Sequence, residues 1–147
     1  MSLLNKIHHY SISSLQLWAD CPRSWWEKYV LGNEQPSSEA ASFGSQFDQV
    51  ISTRLGFPAI NKRTGKPEKM GPLLEGVEEA VEGYFAQPFA IKKATGCQEK
   101  IDISPDQWAV LGEIYSLSLQ IDKPITGYID VSVANESLLV DLKTSKR

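Results

Sequence analysis

Long apolar segments, cysteines and excess basic charge are all scarce in this sequence, and each shortage excludes a class of protein. No apolar run approaches the roughly 20 residues of a membrane-spanning helix, and the opening MSLLNKIHHYS lacks the apolar core of a signal peptide. We therefore expect a cytoplasmic protein with no membrane partner. The two cysteines cannot build a disulfide framework. A net charge of −3 provides no general basic surface for nucleic acid, so any DNA contact has to be local.

The rest of the composition is that of a globular protein. The chain has 147 residues, of which 41% are hydrophobic and 22% are charged, and this length is enough for a substantial hydrophobic core. The sequence contains no internal repeat and no low-complexity tract. We predict a single domain over residues 1–147.

Helix signals fill the N-terminal half. Capping residues and apolar spacing predict four helices, at residues 13–20, 22–31, 39–55 and 73–86. A capping-box pattern at Ser13 and Gln16 begins the first helix, and Pro22 and Gly32 mark the two ends of the second. The segment 56–72 is rich in proline, glycine and lysine, which predicts a long loop.

Strand signals take over after Cys97. Runs of β-type residues cover EKIDIS, WAVLGEIYSLSLQI and a final pair, ITGYIDVSV and SLLVDLKTS. These runs begin at residues 99, 108, 125 and 137. A helical N-terminal half and a β-rich C-terminal half together predict the α/β class.

The final pair of strands places two carboxylates opposite each other. If Asn135 and Glu136 form a two-residue turn, Asp130 lies across from Asp141, with Cβ atoms about 4.5–5.5 Å apart. Side chains alternate along a strand, so Lys143 shares that face. The other face is apolar and is expected to contact the core. It consists of Ile129, Val131, Val133, Leu138, Val140 and Leu142.

Two facing carboxylates with a nearby lysine suit metal-dependent chemistry. Like charges opposite each other destabilise a strand pair unless a cation compensates them, and hard cations such as Mg²⁺ prefer carboxylate oxygens. Lys143 could orient a water molecule or stabilise charge on a phosphate. Together Asp130, Asp141 and Lys143 indicate metal-assisted phosphodiester hydrolysis. The alternative is a surface hairpin with a solvated polar face and an ordinary ion pair.

The same residues resemble a known active site. GYID and VDLKTSK are similar to the catalytic hairpin of the PD-(D/E)XK nuclease superfamily, in its RecB-like exonuclease branch. Asp130 matches the metal-binding aspartate of that family, and Asp141 and Lys143 match its (D/E)-x-K motif. Glu99 falls where these proteins often carry a glutamate on the preceding strand. SISSLQLWADCPRSWWEKYVLG resembles the opening S-x-S…CP…Y segment of the branch, and FGSQFDQVI resembles its Gly-x-x-x-His helix.

This resemblance implies a fold, an activity and a set of site residues. The fold is a restriction-endonuclease-like core, in which helices flank a small mixed β-sheet. The activity is Mg²⁺- or Mn²⁺-dependent cleavage of DNA, exonuclease-like, in recombination, repair or phage DNA processing. Asp130, Asp141 and Lys143 are the implied catalytic residues, and Glu99 is a further metal ligand. The other class of function is a non-catalytic DNA-binding or protein-interaction module that keeps the fold.

The sequence departs from the branch at two kinds of residue. The histidine position holds Asp48, four residues after Gly44. Asp48 is either an additional oxygen ligand for the metal or an exposed helix aspartate. Iron–sulfur members of the branch use four cysteines, whereas this chain has only Cys21 and Cys97. We therefore expect no iron–sulfur cluster and a buried structural thiol at Cys21.

Candidate DNA contacts are confined to two short basic clusters. They are Lys62, Arg63, Lys66 and Lys69 in the predicted loop, and Lys146 and Arg147 after the final strand. These side chains either hold a phosphate backbone or belong to a solvated loop.

The chain ends four residues after Lys143. RecB-like nucleases continue there with a helix that carries a Gln-x-x-x-Tyr pattern, and nothing in this sequence matches it. We therefore expect a domain without its C-terminal elements, whose active site is covered by a missing segment or by a second chain.

Overall fold

The computed structural model of the protein describes residues 7–62, 64–114 and 122–144. Within these residues the chain forms α-helices and β-strands in a mixed order. They are β1 Tyr10–Ser11, α1 Ile12–Asp20, α2 Pro22–Trp25, α3 Glu39–Arg54, β2 Ile60–Asn61, β3 Lys66–Pro67, α4 Val77–Phe85, β4 Gly96–Ile103, α5 Pro105–Ile114, β5 Ile125–Val133 and β6 Leu138–Val140. A π-helical segment, Trp26–Val30, continues α2, and a 3₁₀ turn, Ala134–Glu136, joins β5 to β6.

Strand β5 is the central strand of a small mixed sheet. The sheet has the order β1-β5-β4, and β6 also pairs with β5. β1 runs parallel to β5, with Tyr10 beside Ile125, whereas β6 runs antiparallel to it. β2 and β3 form a separate antiparallel pair. The mixed sheet and its flanking helices confirm the predicted α/β fold class.

The chain divides into two compact units. The first draws on Met1–Pro36 and Ile101–Gly127, and the second on Ser37–Lys100 and Tyr128–Arg147. In the described part of the first unit, Trp25 is buried and meets Trp18 edge to face, with ring centroids 5.1 Å apart. No described helix in either unit is both long enough and apolar enough to cross a membrane.

The second unit has an apolar core built on α3 and α4. Its buried residues come from both helices, from β4 and from the final strand pair: Phe47, Val50, Ile51, Val77, Val81, Cys97, Val131 and Leu142. Ser38 caps α3 by accepting a hydrogen bond from the Ala41 N–H. This confirms the predicted third helix and its apolar spacing, since Phe47, Val50 and Ile51 are all buried.

Two predicted helix starts were wrong. Helix α1 begins at Ile12, because the N-cap is Ser11, two residues before the predicted Ser13, and Ser11 and Ser14 exchange the two hydrogen bonds of a capping box. Helix α4 begins at Val77 instead of residue 73, because Gly76 adopts φ 86°, a left-handed conformation that does not continue a helix.

Two predictions about the regions between the helices also fail. The segment 56–72 contains the short β2–β3 hairpin and is therefore not loop throughout. The run predicted as strand from residue 108 is helical as far as Ile114, where α5 ends. Ser104 and Gln107 hydrogen-bond each other's backbone N–H groups, which caps the start of this helix. Residues 115–121 of the same run lie outside the described residues.

Candidate active site

The final strand pair has the register that the sequence predicts. Val131 pairs with Val140, so β6 ends immediately before Asp141. The turn is longer than predicted, because a 3₁₀ turn, Ala134–Glu136, is followed by Ser137 with φ 52°. The register is unchanged because the longer turn removes one residue from each strand.

Asp130 is a buried carboxylate with three polar partners. Its side chain is 7% exposed. Oδ2 accepts a hydrogen bond from the Leu142 N–H at 2.9 Å, and Oδ1 accepts one from Gln98 Nε2 at 3.3 Å. The Lys62 ammonium completes the set at 3.3 Å from Oδ1. A buried charge is tolerated when it is paired and hydrogen-bonded in this way.

Asp141 and Lys143 form an exposed ion pair next to Asp130. Lys143 Nζ lies 3.0 Å from Asp141 Oδ2, and the two side chains are 80% and 69% exposed. Lys143 holds the pKa of Asp141 below its ordinary value, and contact with Asp130 acts in the same direction. The pKa of Lys143 is raised by Asp141 and, more weakly, by Asp130 and Asp48. The three residues predicted as catalytic are therefore neighbours.

Helix α3 brings Asp48 to the same place. The Asp48 side chain is only 15% exposed, and its Oδ2 lies 3.5 Å from Lys62 Nζ. Burial raises the pKa of Asp48 to about 6, the negative charge of Asp130 adds to the rise, and Lys62 opposes it. Asp48 is therefore a largely buried neighbour of Asp130 and not an exposed helix aspartate.

Gly44, one turn before Asp48, lets the chain after β6 approach α3. A Cβ atom at residue 44 would lie 3.2 Å from Thr144 Oγ1. An interior glycine costs a helix about 1 kcal/mol relative to alanine. The close approach favours glycine here, because a Cβ atom would require the Thr144 hydroxyl to shift by a few tenths of an ångström.

Glu99 contacts Ser132, which lies two residues after Asp130 on β5. Its carboxylate accepts a hydrogen bond from Ser132 Oγ at 3.1 Å. It also folds over Gly96, where a Cβ atom would collide with it. Among the predicted ligands, Asp48 and Asp141 each lie next to Asp130, whereas the Glu99 carboxylate is bound to Ser132.

Gln98 takes the position beside Asp130 that the sequence assigned to Glu99. Gln98 has φ 53°, a left-handed backbone within β4, and its Nε2 donates to Asp130 Oδ1. The residue is 4% exposed, and its Oε1 has no hydrogen-bond partner among the described residues. Gln98 was not predicted as a site residue, because no sequence pattern predicts a left-handed non-glycine residue within a strand.

The predicted DNA-binding lysines separate into two groups. Lys62 contacts Asp48 and Asp130, as described above. Lys66 and Lys69 are exposed on and after β3. The other three predicted contacts, Arg63, Lys146 and Arg147, lie outside the described residues.

The donor atoms at this site suit a hard divalent cation. Asp48 and Asp130 offer carboxylate oxygens to one shared cation, which is the Lys62 ammonium, and the amide of Gln98 contacts Asp130 through Nε2. Among the described residues, no group of three or more histidine, cysteine or acidic side chains is gathered closely enough to hold a metal ion. This agrees with the ion pair that Asp141 makes with Lys143.

The two cysteines differ in burial. Cys97 lies in the core of the second unit, and burial raises the pKa of its thiol. Cys21 is only half-buried, which corrects the expectation of a buried thiol there.

The chain as a whole matches one family model. The model of the PD-(D/E)XK nuclease superfamily matches residues 9–147. No curated protein and no solved structure shows a match. The matched range includes Asp48, Asp130, Asp141 and Lys143.

Proposed function

Because the chain belongs to the PD-(D/E)XK nuclease superfamily, we propose that it is a Mg²⁺- or Mn²⁺-dependent deoxyribonuclease of the RecB-like exonuclease branch. Membership indicates a nuclease, a hydrolase that acts on nucleic acid, and nucleases of this superfamily generally use divalent metal ions. The finer assignment, to exonuclease-like work in DNA recombination, repair or phage DNA processing, rests on the hairpin, helix and N-terminal motifs of the sequence.

One observation carries the proposal. A buried Asp130 lies beside the exposed Asp141–Lys143 pair at the end of a strand pair with the predicted register. Asp48 from α3 approaches the same carboxylate. Helix α3 and the chain after β6 therefore place acidic side chains next to Asp130 on β5, and a merely solvated hairpin face does not require a buried carboxylate there.

Each residue has a proposed role. Asp130, Asp141 and Asp48 hold the metal, and Glu99 is a further ligand if its carboxylate leaves Ser132. When bound, the metal supplies positive charge at the phosphate and lowers the pKa of a water molecule. Lys143 orients that water or stabilises the charge that develops on the phosphate.

The exposed basic residues have a separate proposed role. Lys66 and Lys69 contact the DNA backbone, together with Lys62, Arg63, Lys146 and Arg147. Contacts of this kind fix the position of the DNA without reading its sequence.

A nuclease assay with metal titration tests the proposal. The wild-type protein is expected to cleave single- or double-stranded DNA when Mg²⁺ or Mn²⁺ is added and to be inactive in EDTA. Asp130→Asn and Lys143→Met should each reduce the rate by at least ~100-fold, a typical cost of removing a charge-stabilising group. Glu136→Gln, in the exposed turn of the same hairpin, is the control and should keep full activity. Cleavage that survives EDTA, or survives Asp130→Asn, would contradict this mechanism.

A second candidate is a non-catalytic DNA-binding or protein-interaction module. The position of Lys62 between the two carboxylates favours it, because that ammonium compensates their charge without a metal. This candidate predicts DNA binding that is equal in EDTA and in Mg²⁺, with no cleavage in either.

A further inference from the structure

Lys62 connects two carboxylates that belong to different elements. Its Nζ lies 3.3 Å from Asp130 Oδ1 and 3.5 Å from Asp48 Oδ2. Lys62 follows β2 directly, in the turn of the β2–β3 hairpin. A residue of the hairpin therefore contacts two of the side chains proposed above as metal ligands.

The positive charge of Lys62 compensates the negative charges of Asp130 and Asp48, as a bound metal ion would. Asp130 and Asp48 are 7% and 15% exposed, so water screens their mutual repulsion poorly. A lysine ammonium is a compact point charge, and here it attracts one oxygen from each carboxylate. A divalent cation that bound these two oxygens would need the same space, so the two cations exclude each other.

The lysine can move more easily than the carboxylates can. Its side chain is 43% exposed, and the hairpin that carries it has strands of only two residues. By contrast, Asp130 is held by the Leu142 N–H and by Gln98, which are both buried. Of the two groups, the Asp130 carboxylate is the more firmly held.

Gln98 supplies an independent sign that the site can accept another ligand. Its Oε1 is buried and has no partner among the described residues, while its Nε2 donates to the oxygen of Asp130 that Lys62 also contacts. A buried acceptor without a donor costs free energy. Because the other end of the same amide contacts Asp130, this acceptor lies one amide group away from that carboxylate, and Lys62 makes no hydrogen bond with it.

We propose that Lys62 is a tethered competitor for the metal site. It holds Asp48 and Asp130 together before metal binds, and a divalent cation must displace it. Lys62 thus lowers the affinity for metal and prevents occupation at low metal concentration. The inference rests on the metal site proposed above and adds a determinant of its affinity.

Mn²⁺ binding in the absence of DNA tests this role directly. The measurement is calorimetric titration or the loss of the free Mn²⁺ paramagnetic-resonance signal, for wild type, Lys62→Met and Lys92→Met. Lys62→Met keeps the aliphatic stem and removes the charge, so it should bind Mn²⁺ roughly tenfold more tightly, within the usual range of coupling between two ligands. Lys92→Met, at an exposed lysine elsewhere in the second unit, should bind as wild type does.

Thermal melting provides a second readout. In EDTA, Lys62→Met should melt below wild type because two buried carboxylates lose their cation, and saturating Mn²⁺ should remove the deficit. If Lys62→Met does not fold without metal, Lys62→Gln, which keeps N–H donors, is titrated in its place. Equal or weaker Mn²⁺ binding by the Lys62 variants, with normal binding by wild type, would overturn only the role of Lys62. If none of the proteins, including wild type, binds Mn²⁺, the proposed metal site is wrong, and the proposed role of Lys62 is then wrong as well.

Discussion

The residues around Asp130 combine buried charge with strained backbone. Asp130 receives hydrogen bonds from Leu142 and Gln98 and an ion pair from Lys62, so protein groups compensate most of its charge. One of these partners, Gln98, is held with φ 53°. A left-handed non-glycine residue costs free energy and persists where the surrounding structure gains from its side chain. Here the gain is the contact with a buried carboxylate.

The backbone at Gln98 leads to a prediction about two truncations. Gln98→Ala and Gln98→Gly both remove the hydrogen bond to Asp130, but only alanine keeps a Cβ at φ 53°. We expect Gln98→Ala to be less stable than Gln98→Gly by about 1 kcal/mol, the cost of a left-handed non-glycine residue. Urea unfolding in EDTA measures the difference. An alanine variant as stable as the glycine variant would show that the backbone there is not left-handed.

The pKa of Asp48 predicts a pH-dependent effect on stability. Because the folded protein raises this pKa from 3.8 to about 6, the folded state binds more protons than the unfolded state between these values. The carboxylate therefore destabilises the fold above pH 6, and this cost disappears as the pH falls toward 4. Asp48→Asn does not titrate, so its stability relative to wild type should increase between pH 4 and pH 7. We expect an increase of about 1–2 kcal/mol after allowance for solvent screening.

Urea unfolding in EDTA at several pH values measures the effect of Asp48→Asn. Glu39→Gln is the matched control, because Glu39 is exposed at the other end of the same helix. A relative stability of Asp48→Asn that is constant from pH 4 to pH 7, or an equal trend in the control, would contradict the prediction.

At the scale of elements, predictions were confirmed where one face of a helix or strand is buried, and they were wrong where a local cap determines where a helix begins. Helix α3 and the register of the β5–β6 pair follow apolar periodicity, since a shift of one residue would expose Val131 and Leu142. Helix α5 was predicted wrongly as a strand, because its β-branched and aromatic residues are typical of strands. The Ser104–Gln107 cap, which favours a helix, was not recognised in the sequence. The β2–β3 hairpin is too short to give a periodic signal.

The cap of α5 can be tested with two substitutions at Ser104. Ser104 Oγ accepts a hydrogen bond from the Gln107 N–H, so Ser104→Ala should destabilise the protein by about 1 kcal/mol, whereas Ser104→Asp, another good N-cap, should cost much less. Chemical unfolding gives both values. If Ser104→Ala is neutral, or if alanine and aspartate cost the same, the segment does not begin a capped helix.

For the molecule as a whole, the proposed site lies within one of the two compact units. Every described residue assigned to the site belongs to the second unit, from Asp48 on α3 to Lys143 after β6. The sequence predicted the fold class and the grouping of Asp130, Asp141 and Lys143, because the order of the motifs and the strand register can both be derived from it. The positions of Lys62 and Gln98 could not be predicted, because they depend on a short hairpin and on a left-handed residue that have no sequence signal. The single domain over residues 1–147 stays a prediction.

This division predicts where metal binding stabilises the molecule. Mg²⁺ or Mn²⁺ at about 100 times its Kd should raise the melting temperature by about 5–10 °C, by mass action on the folded state. Hydrogen exchange should slow mainly in peptides from residues 37–62, 64–100 and 128–144, because all the described ligands lie there. Asp141→Ala should abolish both effects. Asp106→Ala, an exposed aspartate in the first unit, should preserve them. A melting rise that Asp141→Ala retains would exclude the hairpin as the metal site, and protection concentrated in residues 7–36 or 101–114 would place the metal elsewhere.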